Sequence, residues 1–137
     1  MNELNLAAAA MHDSEVVGIE INRKNKIAKL ALLTESAETW CFECDGVALI
    51  RAVDFIDQNV VSRLLISSVF IFSESQIRHW LNWLSSLIDM KSNMTPEILE
   101  AYKKKIEIGD MSLLVLEPSR GMELGVLSRT VRYSRVK

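Results

Sequence analysis

A chain of 137 residues, 49% of them hydrophobic, is long enough to bury one proper core and too short for two, so a single domain is expected. Its net charge of −2 gives it no general attraction for nucleic acid or anionic lipid. Two cysteines and five glycines exclude a disulfide-stapled scaffold and every glycine-rich phosphate cradle, neither G-x-G-x-x-G nor a P-loop being present.

The opening MNELNLAAAAMHDS carries Glu3 where a secretory signal would be positive, and its apolar run stops at Met11. Residues 3 to 11 are read either as a short helix on alanine propensity, ended by His12-Asp13-Ser14, or as a flexible end over residues 1 to 12. No stretch approaches the roughly 20 apolar residues of a membrane-spanning helix, and a reducing cytoplasm is the expected location.

Residues 15 to 55 read as four successive strands joined by polar turns. Val17, Ile19 and Ile21 alternate with Val16, Gly18, Glu20 and Asn22 in the first. After the turn Arg23-Lys24-Asn25-Lys26, Ala28, Leu30 and Leu32 share one face of the second, from Ile27 to Thr34; Ile27, Ala31 and Leu33 make its other face apolar too, the mark of a central strand. Beyond Glu35 to Glu38, Trp40, Phe42 and Cys44 share one face of the third and Cys41, Glu43 and Asp45 the other. Asp45-Gly46 signals a turn into a fourth strand, Val47 to Phe55. Such a meander needs a cover for its apolar face, and the downstream helices are the natural candidates.

The run Val60 to Phe72 has no clear period: β-branched residues favour a strand for Val69 to Phe72 and leave Val60 to Ile66 open between helix and strand. Ser73 and Gln76 have the form of a capping box, with Ile77, Trp80, Leu81, Leu84, Leu87 and Ile88 at helical spacing behind them, so a helix is expected from Ser73 to Met90. Trp83 lies beside that stripe and either widens the buried face or stands out as a contact point. Lys91-Ser92-Asn93 interrupts. Thr95-Pro96-Glu97 then starts a second helix that Gly109 stops. Ser112 to Glu117, a turn Pro118 to Gly121 and Met122 to Leu127 read as a hairpin, with Thr130 to Val136 as a further strand. The whole is expected to be one α+β domain, an antiparallel sheet of about six or seven strands packed against two helices.

Candidate chemistry is sparse. Cys41-Phe42-Glu43-Cys44 matches C-x-x-C, but residues three apart on a strand point to opposite faces, so the two thiols cannot converge on a metal or on each other. His12-Asp13 has the form of a metal-hydrolase pair, yet His79 is the only other histidine available to complete a ligand set. A small hydrolase or ligand-binding enzyme using His12, Asp13 and nearby carboxylates is thus the alternative, and no catalytic residue, cofactor or metal site is assigned. Arg129, Arg132, Tyr133 and Arg135 combine charge with an aromatic, but Arg132 opposes the other two arginines on a strand; a charged edge strand explains them better than nucleic-acid binding.

His12-Asp13-Ser14 before an alternating strand, Asn59-Val60-Val61-Ser62-Arg63, and Glu117-Pro118-Ser119-Arg120-Gly121 before a final strand resemble the small bacterial immunity proteins of contact-dependent growth inhibition and related systems. The resemblance implies a cytoplasmic inhibitor whose partner is a cognate toxin domain, neutralised by occlusion. Were that toxin a nuclease, its basic channel would attract a face bearing Glu20, Glu35, Glu38, Glu43 or Asp45. A further possibility is a homodimer joined through an exposed edge strand or Trp83.

Overall fold

The computed structural model describes residues 3 to 86, 92 and 94 to 136. They form a single α+β domain with three helices and an eight-stranded antiparallel sheet. In chain order these are α1 (Glu3–Ala9), β1 (Glu15–Asn22), β2 (Ile27–Leu33), β3 (Thr39–Asp45), β4 (Leu49–Val53), β5 (Val60–Ile66), α2 (Glu74–Leu84), α3 (Pro96–Ile108), β6 (Ser112–Arg120), β7 (Glu123–Ser128) and β8 (Thr130–Val136). The strand order is β4-β7-β6-β5-β1-β2-β3-β8.

Only β1, β2 and β3 form the expected meander. The predicted fourth strand does not return beside β3: β4 pairs with β7, at the far end of the order. Gly46, at φ 69, turns the chain through a corner instead of a hairpin, and Arg129 makes the matching corner between β7 and β8. Residues 39–53 and 123–136 consequently run side by side over their whole length, as β3 on β8 and then β4 on β7. Because each end strand prolongs an interior one, the sheet curls round on itself like a barrel.

Its interior is filled by Leu30, Leu32, Phe42, Leu64, Ile66, Leu114, Leu116, Leu124 and Val126 from both halves. The short helix expected at residues 3 to 11 is present as α1. It lies between β5 and β8 and adds Ala7, Ala8 and, just beyond its end, Met11 to that core. The downstream helices do not cover the inner face of the meander. Ile77, Trp80, Leu81, Leu84, Leu99 and Ile106 pack instead on the outer face of the other half, against Leu65, Leu113, Val115 and Leu127.

Both caps of α2 and α3 follow the sequence signals. Ser73 and Gln76 bond reciprocally as a capping box, Thr95 accepts from the Ile98 amide with Pro96 behind it, and Gly109 ends α3 in the left-handed conformation. The first helix is shorter than its apolar stripe suggests, ending at Leu84; Leu87, Ile88 and Met90 lie outside the described residues. Arg78 and Lys103 tie the helices together, the first meeting Glu74 and Glu100, the second Glu74 at 3.5 Å and Glu107 at 3.3 Å. The hydrogen bond from Arg78 leads the effects that hold the Glu74 carboxyl below its usual range. Trp83 widens the buried face: it is half-buried, edge-on to Trp80 at 5.3 Å, with the Arg51 guanidinium 4.6 Å above its ring.

Three local expectations need correction. Val69 to Phe72 is not a strand; β5 takes the uncommitted part of that run, Val60 to Ile66, and Val69 and Phe70 bond back to the Ile66 carbonyl in a turn. The apolar set of β1 is Val16, Ile19 and Ile21, since a bulge at Val17 shifts the register and leaves that side chain 51% exposed. Residues 118 to 120 continue β6 rather than turning, and the reversal falls at Gly121.

Candidate functional site

The outer face of β1-β2-β3-β8 is covered by none of the described helices. Strand period and register fix what it shows, because residues opposite one another in an antiparallel pair share a face. One rung reads Gly18, Ala31, Cys41, Ser134; the next reads Glu20, Lys29, Glu43, Arg132. Charge thus alternates in sign across four strands, a ladder built from residues more than a hundred positions apart in the chain. Lys29 Nζ lies 3.8 Å from Glu43 Oε1, and Arg132 bonds Glu43 and sits 3.5 Å from Asp45. Val17, Ile27, Leu33 and Val136 add apolar surface around it, Val136 being 58% exposed. A shallow groove of about 410 Å³ runs between Lys29, Cys41, Glu43, Arg132 and Ser134.

The five carboxylates singled out as partner-binding do not form one acidic surface. Glu20, Glu43 and Asp45 share the open face. Glu35 and Glu38 sit at its end, in the β2–β3 turn. Glu38 bonds Arg135, whose guanidinium also lies 5.0 Å over the Trp40 ring. Glu38, Glu43 and Asp45 are therefore largely matched by the basic tail of the same chain. Trp40 is held between Arg135 and the stacked ring of Tyr133, at 5.7 Å, and among the described residues its buried indole nitrogen has no hydrogen-bond partner.

Comparison with family models, curated proteins and solved structures finds no match to this chain. Function must then be read from the surface and the side chains.

The two thiols sit as the strand period requires. Cys44 points into the core and Cys41 lies half-buried on the open face, both free. Burial pushes the Cys44 thiol up to about 12 against a smaller opposing hydrogen bond from Ser128, and burial also raises Cys41. Neither has the depressed pKa of a reactive cysteine.

His12 and Asp13 lie in the link from α1 to β1. His12 Nδ1 donates to the Ser62 carbonyl at 2.8 Å and its Nε2 is 3.4 Å from Asp13 Oδ2, with side chains 67% and 48% exposed. A groove of about 290 Å³ beside them is lined by Asn5, Ala8, Ser62, Arg63, Ile66 and Phe70. Among the described residues no three His, Cys, Asp or Glu side chains gather as a metal site would need. Nor is any described helix long and apolar enough to cross a membrane.

The three segments set beside immunity proteins in the sequence, around Asp13, Asn59 and Glu117, converge on one place. Asp13 N donates to the Val61 carbonyl and Val61 N to that of Ser14, both at 2.9 Å, while Val16 N reaches the Asn59 carbonyl at 2.8 Å. Arg63 Nε bonds Glu117 at 2.6 Å, and Asn59 Oδ1 accepts from the Met122 amide at 3.0 Å. These residues form the seam that joins β1 to β5 and so completes the curl of the sheet; their role here is architectural. Sequence reading could have found the Lys29–Glu43 step of the charge ladder from the predicted hairpin, but not its extension to Arg132, which depends on β8 pairing with β3.

Proposed function

We propose that this chain is a stoichiometric inhibitor of the bacterial immunity-protein kind, which binds a cognate toxin domain and covers its working surface. The supporting observation is the open sheet face, where alternating charge is interleaved with apolar residues across four strands whose inner side is filled by the core of the curled sheet. Mixed apolar and polar surface held on regular elements is what a preorganised protein interface needs. The charge ladder sets register, since a partner displaced sideways by one strand would bring like charges together.

The outer face carries Glu15, Glu20, Glu43 and Asp45 against Lys29 and Arg132, an acidic excess that fits a toxin with a basic channel. Co-expression with the product of the gene immediately upstream tests the reading. A one-to-one complex and loss of that product's toxicity are expected, and a chain with His12→Ala and Asp13→Asn should protect equally well. Absence of a complex together with undiminished toxicity would overturn the reading. Protection lost in a folded His12/Asp13 variant would favour the hydrolase alternative.

A further inference from the structure

At the end of the open face where β1 turns into β2, two sequence-distant groups of cations meet. The turn supplies Arg23, Lys24 and Lys26, all exposed, and the β7–β8 corner supplies Arg129. Val47 N donates to the Lys26 carbonyl at 2.9 Å, and Arg129 N donates to that of Asp45 at 2.9 Å. Lys26 and Arg129 thus lie just past the last paired residues Ile27, Asp45 and Thr130, on either side of the Asp45–Val47 segment, which puts their backbones about 10 Å apart at ordinary strand spacing. Gly46 makes this arrangement possible: a Cβ there would lie 2.4 Å from Arg129 Nε and 2.9 Å from its Cγ, so the arginine lies directly over the glycine.

These four cations differ from those elsewhere on the sheet. Lys29, Arg63, Arg120, Arg132 and Arg135 each meet a carboxylate. Among the described residues, none is paired with Arg23, Lys24, Lys26 or Arg129. Lys26 moreover holds a left-handed backbone at φ 55, a conformation that glycine or asparagine adopts with less strain. A cation is thus present where local geometry favours another residue, in a chain of net charge −2.

We propose that this barrel end is a docking point for a short acidic segment of a partner protein. Its footprint suits two or three carboxylates. A nucleic-acid backbone fits poorly, because it needs a continuous basic track, and further along the face Lys29 and Arg132 are already engaged by Glu43 and Asp45. The partner surface would then bear an acidic element beside a basic one, and the two together would fix its orientation on the face.

Fluorescence anisotropy with a labelled hexaglutamate peptide at low ionic strength tests this, with an oligothymidylate of equal charge as competitor probe. The variant Lys26→Gly with Arg129→Gln removes two charges and, by relieving the left-handed lysine, is expected to fold at least as well as the parent. It should weaken the peptide about fivefold, whereas Lys104→Gln with Lys105→Gln on α3 should leave it unchanged. Failure of the peptide to bind, equal weakening by the α3 variant, or oligothymidylate binding as tightly as the peptide would each overturn the proposal. The titration is independent of the toxin complex, so either can fail while the other succeeds.

Discussion

Replacing Asn59 with alanine is expected to lower the free energy of unfolding by about 3 kcal/mol and the melting temperature by roughly 10 °C. Asn59 is 3% exposed. Its Oδ1 accepts from the Ile56 and Met122 amides, each at 3.0 Å, and its Nδ2 donates to the Ile56 carbonyl at 2.8 Å. Truncation removes three hydrogen bonds; the Ile56 groups lie at an exposed residue and can turn to water, but the Met122 amide sits where there is no solvent access, and an orphaned buried group alone costs about 1–3 kcal/mol. Gly121→Ala attacks the same clamp from the other side. At φ 80 its new Cβ would lie 2.5 Å from Asn59 Oδ1 and 2.9 Å from the Gln58 carbonyl, the latter being backbone that cannot swing away. A loss of about 3 kcal/mol is expected there too. Since both changes break one network, the double variant should lose less than the sum. Thermal melting followed by circular dichroism checks all three; a change under about 1 kcal/mol for Asn59→Ala would show that the Asn59 network does not hold the seam between β1 and β5 together.

Ala31→Trp is expected to abolish the proposed toxin complex while leaving the fold intact. Ala31 lies in the small-residue rung between Gly18 and Cys41, half-buried and facing outward from the centre of the sheet. No described helix packs over it, so an indole there has room to stand above Gly18, and a β position accepts an aromatic readily. A flat partner surface would then be held off the charge ladder. Affinity should fall about a hundredfold or more, measured by titration calorimetry, with the melting temperature within a few degrees of the parent. Unchanged affinity would place the binding surface elsewhere.

What the sequence disclosed and what it withheld divide along a physical line. The caps of α2 and α3, the inner face of β2 and the opposed cysteines of β3 depend on residues within a few positions, and each was legible. The destination of β4 was not, because Asp45-Gly46 signals a change of direction without saying whether the chain reverses or turns a corner; the answer depends on β7 and β8, some eighty residues on. The bulge at Val17 escaped for a similar reason, since Val17, Ile19 and Ile21 already fit one regular alternation, and only pairing with Leu32 shows that Val16 takes the inward place in line with Ile19. In the run 60 to 72, β-branched content favoured the wrong half, because the buried partners Leu114 and Leu116 lie in a strand that follows both helices. The same long-range pairing hid the candidate surface: five carboxylates look like an acidic face until Arg132 and Arg135 are laid beside them.

Hydroxyl-radical footprinting of the chain alone and in the proposed one-to-one complex with a toxin domain examines most directly whether the open face is the working surface. Val17, Leu33 and Val136 should become protected on binding, with Tyr102 and Ile108 on α3 unchanged. Protection confined to α2 and α3, with those three residues still oxidised at the free rate, would contradict the account.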